Sequence, residues 1–195
     1  KGKGGMRRRT KEKQATPALL HKEKATDQTH FVLGFRSYPL RDKRQMTLRL
    51  LAAVLGKGMS SRLFLKLREE MGVCYYVRAN QESMTDTGVF KISAGLDSTR
   101  VEEVIEAIID EAQKLRDVPV SLDELTKVKE MIIGAIAMGL ETSDQVADWY
   151  HDEILRQPLK TPAEIVKEIQ AVTPAQIQKV AQDIFVNKKL NLALV

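Results

Sequence analysis

In Phe90-Lys-Ile-Ser-Ala-Gly-Leu96 the apolar residues fall at every second position, and a few residues later the spacing changes. Val101, Val104, Ile105, Ile108, Ile109, Ala112 and Leu115 recur at three- and four-residue intervals opposite an acidic face. Alternation suits a strand with one buried face, whereas the second spacing suits a helix with one buried stripe. A chain carrying both must bury a sheet face beneath helices.

The remaining segments extend this pattern. Residues 18–25 and 28–37 look extended, with Phe31, Leu33 and Phe35 on one face and His30, Val32 and Gly34 on the other. A helix follows Pro39, with Met46, Leu50, Leu51 and Val54 as its stripe, and Gly56-Lys-Gly58 is expected to end it. Ser60 can cap a second helix whose apolar face is Leu63, Phe64, Leu67 and Met71, with Gly72 as its terminator. Strands over 74–82 and 87–96 flank a turn around Thr85-Asp-Thr-Gly88. Ser121-Leu-Asp-Glu124, Thr161-Pro-Ala-Glu164 and Thr173-Pro-Ala-Gln176 read as capping boxes, the last two with proline at the first helical position. A closing strand is expected over 188–195. The expectation is one α+β domain: a largely antiparallel sheet with helices on one face.

Charge raises the question of a polyanion partner. The net charge is +5, but Lys1, Lys3, Arg7, Arg8, Arg9, Lys11 and Lys13 against Glu12 hold net +6, which leaves the remainder at −1. The basic character belongs to a Gly-rich tail over residues 1–15, which reads as a linker. No aromatic residue interleaves its charges as a nucleic-acid stacking site requires, so neither nucleic acid nor membrane is an expected partner. No apolar run approaches the roughly 18 residues of a membrane span. The single cysteine, Cys74, excludes an internal disulfide and points to the cytoplasm or another reducing space, the mitochondrial matrix included.

The three histidines supply no metal site on spacing. His21 and His30 lack an acid or cysteine at ligand spacing; near His151, Asp144, Asp148 and Asp152 share one helix side, which reads as a solvated face. Neither H-x-x-E-H nor H-E-x-x-H occurs, and Cys74 has no nearby base in sequence.

The stretch Leu55-Gly-Lys-Gly-Met-Ser-Ser-Arg-Leu-Phe64, continuing to Leu67-Arg-Glu-Glu-Met-Gly-Val-Cys-Tyr-Tyr-Val77, resembles the hallmark of the non-zinc half of pitrilysin/insulinase-family peptidases, which include mitochondrial processing peptidase. Leu33-Gly34, Val120-Ser-Leu-Asp-Glu-Leu125, Val172-Thr-Pro174 and the closing strand fall in the family's order. The resemblance implies a clamshell half-domain over 16–195 that closes on a peptide. A separate first half, in the same polypeptide or a partner subunit, would bring H-x-x-E-H and the zinc. It implies no metal and no catalytic group in this chain. Arg68 and Tyr75, seven residues apart, match the arginine and tyrosine that reach the scissile carbonyl. Lys57 and Met59 depart from the small residues expected in the Gly-rich turn. A homodimer is among the assemblies this leaves open. So is a different role, that of a non-catalytic structural subunit.

Local pattern gives a plainer reading of the same residues. Arg68 sits at the edge of an apolar stripe, where its stem can lie over the core. Tyr75 alternates with Val77 and Ala79 as though part-buried, while Tyr76 shares the more exposed face with Cys74 and Arg78. Neighbouring strand residues point to opposite faces, so only one of these tyrosines can be the partner.

Overall fold

The computed structural model describes residues 13–24, 28–156 and 158–195. The linker expected over residues 1–15 therefore lies, up to residue 12, outside the described residues. Strands β1 (Ala18–His21), β2 (Thr29–Ser37), β3 (Cys74–Ser83), β4 (Gly88–Leu96) and β5 (Leu190–Leu194) form one sheet in the order β1-β5-β2-β4-β3. Only β1 and β5 run parallel; the other pairs are antiparallel. The expected α+β sheet is thus present, with β1 and β3 at its edges.

Helices α1 (Gln45–Gly56) and α6 (Pro174–Ile184) pack on one face, α2 (Val101–Asp117) lies against α6, and α3 (Leu122–Met138) and α5 (Pro162–Ala171) lie against α1, with α4 (Ser143–Arg156) between α3 and α5 in the chain. Phe31, Leu33 and Phe35 of β2 and Phe90, Ile92 and Leu96 of β4 point to that face and are buried. Leu48, Leu51 and Leu55 of α1, Ile108 of α2 and Ile177 and Ile184 of α6 belong to the same core. Phe185 meets Phe35 and Phe90 edge-on, with ring centroids 5.1 and 5.2 Å away, an arrangement favoured by the ring quadrupoles. The opposite sheet face stays open, exposing His30, Val32 and Arg78.

Thr161 and Thr173 form full capping boxes. At Ser121 the box is half made: its hydroxyl accepts from the Glu124 N–H, but the Glu124 carboxylate turns to Arg62 instead. Helix α1 ends on an extended Lys57 rather than a left-handed glycine, and Gly58 takes the positive φ of 87° one residue later. Gly56 itself is needed for close packing. A Cβ there would stand 2.5 Å from the Ala79 backbone nitrogen of β3.

Candidate functional site

The helix expected around Leu63–Met71 begins after Ser61, whose carbonyl accepts from the Leu65 N–H at 3.0 Å. Ser61 rather than Ser60 is the buried serine, and its hydroxyl donates to the Gly58 carbonyl at 2.7 Å. From Phe64 to Glu70 the turns are π-helical. Met71 N–H reaches the Lys66 carbonyl five residues back at 3.0 Å, a wide turn seen mostly as single insertions at functional sites. Leu63 and Leu67 are fully buried and anchor it. Gly72 adopts φ 62°, which glycine tolerates without a Cβ clash, and Val73 N–H then closes on the Leu67 carbonyl at 3.0 Å.

This wide turn faces the start of β3, where the sheet register breaks. Cys74 pairs with Leu96 and Tyr76 with Gly95, so Tyr75 has no partner of its own. The extra residue is a β-bulge, which re-aims side chains and strengthens twist. Cys74 and Val77 are both buried, while Tyr75 and Tyr76 between them are 57% and 36% exposed. The rule that only one of two adjacent tyrosines can face outward holds for a regular ladder, and here the bulge suspends it. The part-buried Tyr75 suggested by alternation with Val77 and Ala79 is therefore corrected: Tyr75 is exposed.

Arg68 is exposed, and its Nη1 donates to the Cys74 carbonyl at 3.3 Å and to the Tyr75 carbonyl. One guanidinium nitrogen thus ties the π-helix to the bulge that carries Tyr75. The Tyr75 hydroxyl makes no hydrogen bond to the described residues. Burial pushes the Cys74 thiol up to about 11, with the Arg68 charge opposing it, so this cysteine is protonated packing. Arg62, in the same motif, grips Glu124 through two bonds of 2.8 Å.

The neighbouring Tyr76 ring crosses the open face of the sheet. Tyr76, Gly95 and His30 lie in one cross-strand row. The Tyr76 hydroxyl and His30 Nδ1 are 3.2 Å apart, and the two rings stack at 5.9 Å and 24°. Sequence reasoning passed over this pair, because His30 and Tyr76 stand 46 residues apart. A glycine inside a strand, marking a close approach, was the available signal.

His21, His30 and His151 stand on β1, β2 and α4. Among the described residues no three His, Cys, Asp or Glu side chains gather as a metal site. The donors present do not fit a catalytic zinc.

A helix-backed sheet thus joins an arginine to a tyrosine-bearing bulge at its edge, with no group of three metal donors among the described residues. Residues 3–132 match the peptidase M16 inactive domain, and the chain belongs to that family. The chain is 31% identical over 167 residues to the uncharacterized zinc protease YmxG of Bacillus subtilis, covering 85% of this chain and 41% of that protein. To the uncharacterized zinc protease SCO5738 of Streptomyces coelicolor it is 28% identical, over 82% of this chain and 35% of that protein. It spans well under half the length of these relatives. A protease structure from Helicobacter pylori superposes with a TM-score of 0.85 at 22% identity, over 94% of this chain and 45% of that one. A peptidase M16 inactive domain from Pseudomonas fluorescens gives 0.81 at 20% identity, over 96% of this chain and 45% of that one. Both show the fold.

Proposed function

We propose that this chain is the substrate-gripping, chamber-closing half of a zinc-dependent metalloendopeptidase that cleaves peptides or unfolded segments. The H-x-x-E-H motif, the zinc and the general base belong to a first half-domain, upstream in the same polypeptide or in a partner subunit. The relatives named as zinc proteases, which are longer than this chain, support that division of labour.

The observation that carries the reading is the bulge at Tyr75 braced by Arg68. Peptide hydrolysis places negative charge on the scissile carbonyl oxygen as water adds to its carbon. A donor already in place stabilises that charge more than it stabilises the neutral carbonyl. The exposed Tyr75 phenol, free of partners among the described residues, is such a donor. The Arg68 guanidinium adds positive charge at the Tyr75 backbone and spends only Nη1 there, which leaves its other N–H groups for substrate. The brace lowers the freedom that Tyr75 would otherwise lose on binding.

The test is cleavage of a quenched fluorescent peptide by this chain, alone and combined with the H-x-x-E-H half. Activity is expected only in the combination, and Tyr75→Phe should lower kcat by roughly 10²–10³-fold, as for an oxyanion-hole donor. Arg68→Ala should lower it comparably. Zinc analysis should find no stoichiometric metal in this chain alone. A stable but inactive combination would favour a structural subunit, with Arg68 serving only as a backbone brace.

A further inference from the structure

We infer that the stacked His30–Tyr76 pair walls a side-chain subsite beside Tyr75, one that takes an aromatic or large aliphatic side chain of the bound peptide. The inference rests on the proposed contact of Tyr75 with the scissile bond, because Tyr76 is the next residue along the chain.

Gly95 makes the pair possible. A Cβ at this position would lie 2.5 Å from Tyr76 Cε1 and 3.0 Å from His30 Nδ1. Its absence lets the Tyr76 ring lie across β4 and reach the imidazole on β2. The hydroxyl–Nδ1 contact of 3.2 Å then holds the ring in one orientation while 36% of the residue remains exposed. A tyrosine fixed in this way offers a flat apolar surface without losing rotamer freedom when a ligand arrives.

The adjoining cross-strand row gives the subsite its character. Arg78, Ser93 and Val32 sit side by side on the same face as Tyr76, Gly95 and His30. Gly95 and Ser93 form a low floor, and Val32, 38% exposed, supplies an apolar back. No carboxylate stands on these two rows of β2, β3 and β4, while Arg78 contributes a fixed positive charge. The surface therefore suits flat or branched apolar side chains and disfavours lysine and arginine. A cross-strand aromatic pair also stabilises a sheet. A purely structural role would alter melting but leave side-chain preference untouched, and that difference sets the experiment.

Two measurements are made on one series of peptides that differ at a single residue flanking the scissile bond: Phe, Leu, Ala or Lys. The first is kcat/KM with the chain combined with its H-x-x-E-H half. The second is fluorescence anisotropy of labelled peptide bound to this chain alone, which needs no catalysis. Both should favour Phe and Leu over Ala by about tenfold, with Lys weakest. Tyr76→Ser and Gly95→Ala should each bring the Phe/Ala ratio near one. Tyr76→Phe, which keeps the ring, should retain most of the preference. Equal values for Phe and Ala with the unaltered chain, or an unchanged ratio in Tyr76→Ser, overturns the subsite. If Tyr75→Phe leaves cleavage intact while Tyr76→Ser abolishes the preference, the subsite stands and the scissile-bond reading fails.

Discussion

Cys74 and Gly56 show how single positions fix the geometry around the bulge. The Cys74 thiol, raised to about 11 by burial, should resist alkylation by iodoacetamide in the folded chain and react readily once denatured. Its linkage to folding has a definite sign. Above its ordinary value of 9.0 the unfolded thiol ionises while the folded one stays protonated up to about 11. Its contribution is therefore complete below 9.0 and lost as pH rises towards 11. Urea midpoints measured across that range should fall, and a Cys74→Ala chain should show less of the fall. Gly56 acts through space rather than charge. The atom nearest an added Cβ is a backbone nitrogen, which cannot rotate aside. Gly56→Ala should cost about 1–3 kcal/mol, and denaturant unfolding would measure it.

At the scale of elements, the motif Ser61-Arg-Leu-Phe64 and the start of α3 are joined by the Arg62–Glu124 fork. Both side chains are mostly covered, with 22% and 26% exposed. Arg62→Ala would leave a part-buried carboxylate without its donors, at a cost of about 1–3 kcal/mol. The double substitution with Glu124→Ala should recover part of that cost in a mutant cycle. This fork also shows where sequence reading stops. The strands, α1, the capped helices and the closing strand were legible because each writes its own period or cap within a few residues. Arg68 and Tyr75 were singled out only through resemblance. Local alternation misjudged Tyr75, because a bulge adds one residue without leaving a local mark on the apolar pattern. The π-helix was hidden for a similar reason: Leu63 and Leu67 keep helical spacing while the hydrogen bonds widen around them. Glu124 read as the second half of a capping box, since nothing nearby in sequence announces Arg62 as a stronger partner.

For the molecule as a whole, one polar cluster fastens the end of β2 to α1 and α6. The Tyr38 hydroxyl donates to Asp183 at 2.7 Å, Arg44 reaches the same oxygen at 3.1 Å, and Lys189 meets the other oxygen at 2.8 Å. Burial alone would raise the Asp183 carboxyl, but the hydrogen bonds from Lys189 and Tyr38, with the charges of Lys189 and Arg44, hold it below its ordinary 3.8. Asp42 is depressed as well, chiefly by its hydrogen bond from Arg44. Their stabilisation is present above 3.8 and disappears as pH falls through the lower folded values. Asp183→Asn should lower the melting temperature at neutral pH and flatten its decline below 3.8. The bulge at Tyr75 has a consequence for how these molecules behave in company. Strand β3 closes one side of the sheet, and a straight, unpaired strand invites the same strand of a second molecule to zip against it. An extra residue at the head of β3 interrupts that repeat at one end, while Tyr76–Ser83 keep an even register, so the feature that turns Tyr75 outward also shortens the border open to such zipping. Deleting Tyr75 should restore an unbroken border, and light scattering would then register the growth of aggregates.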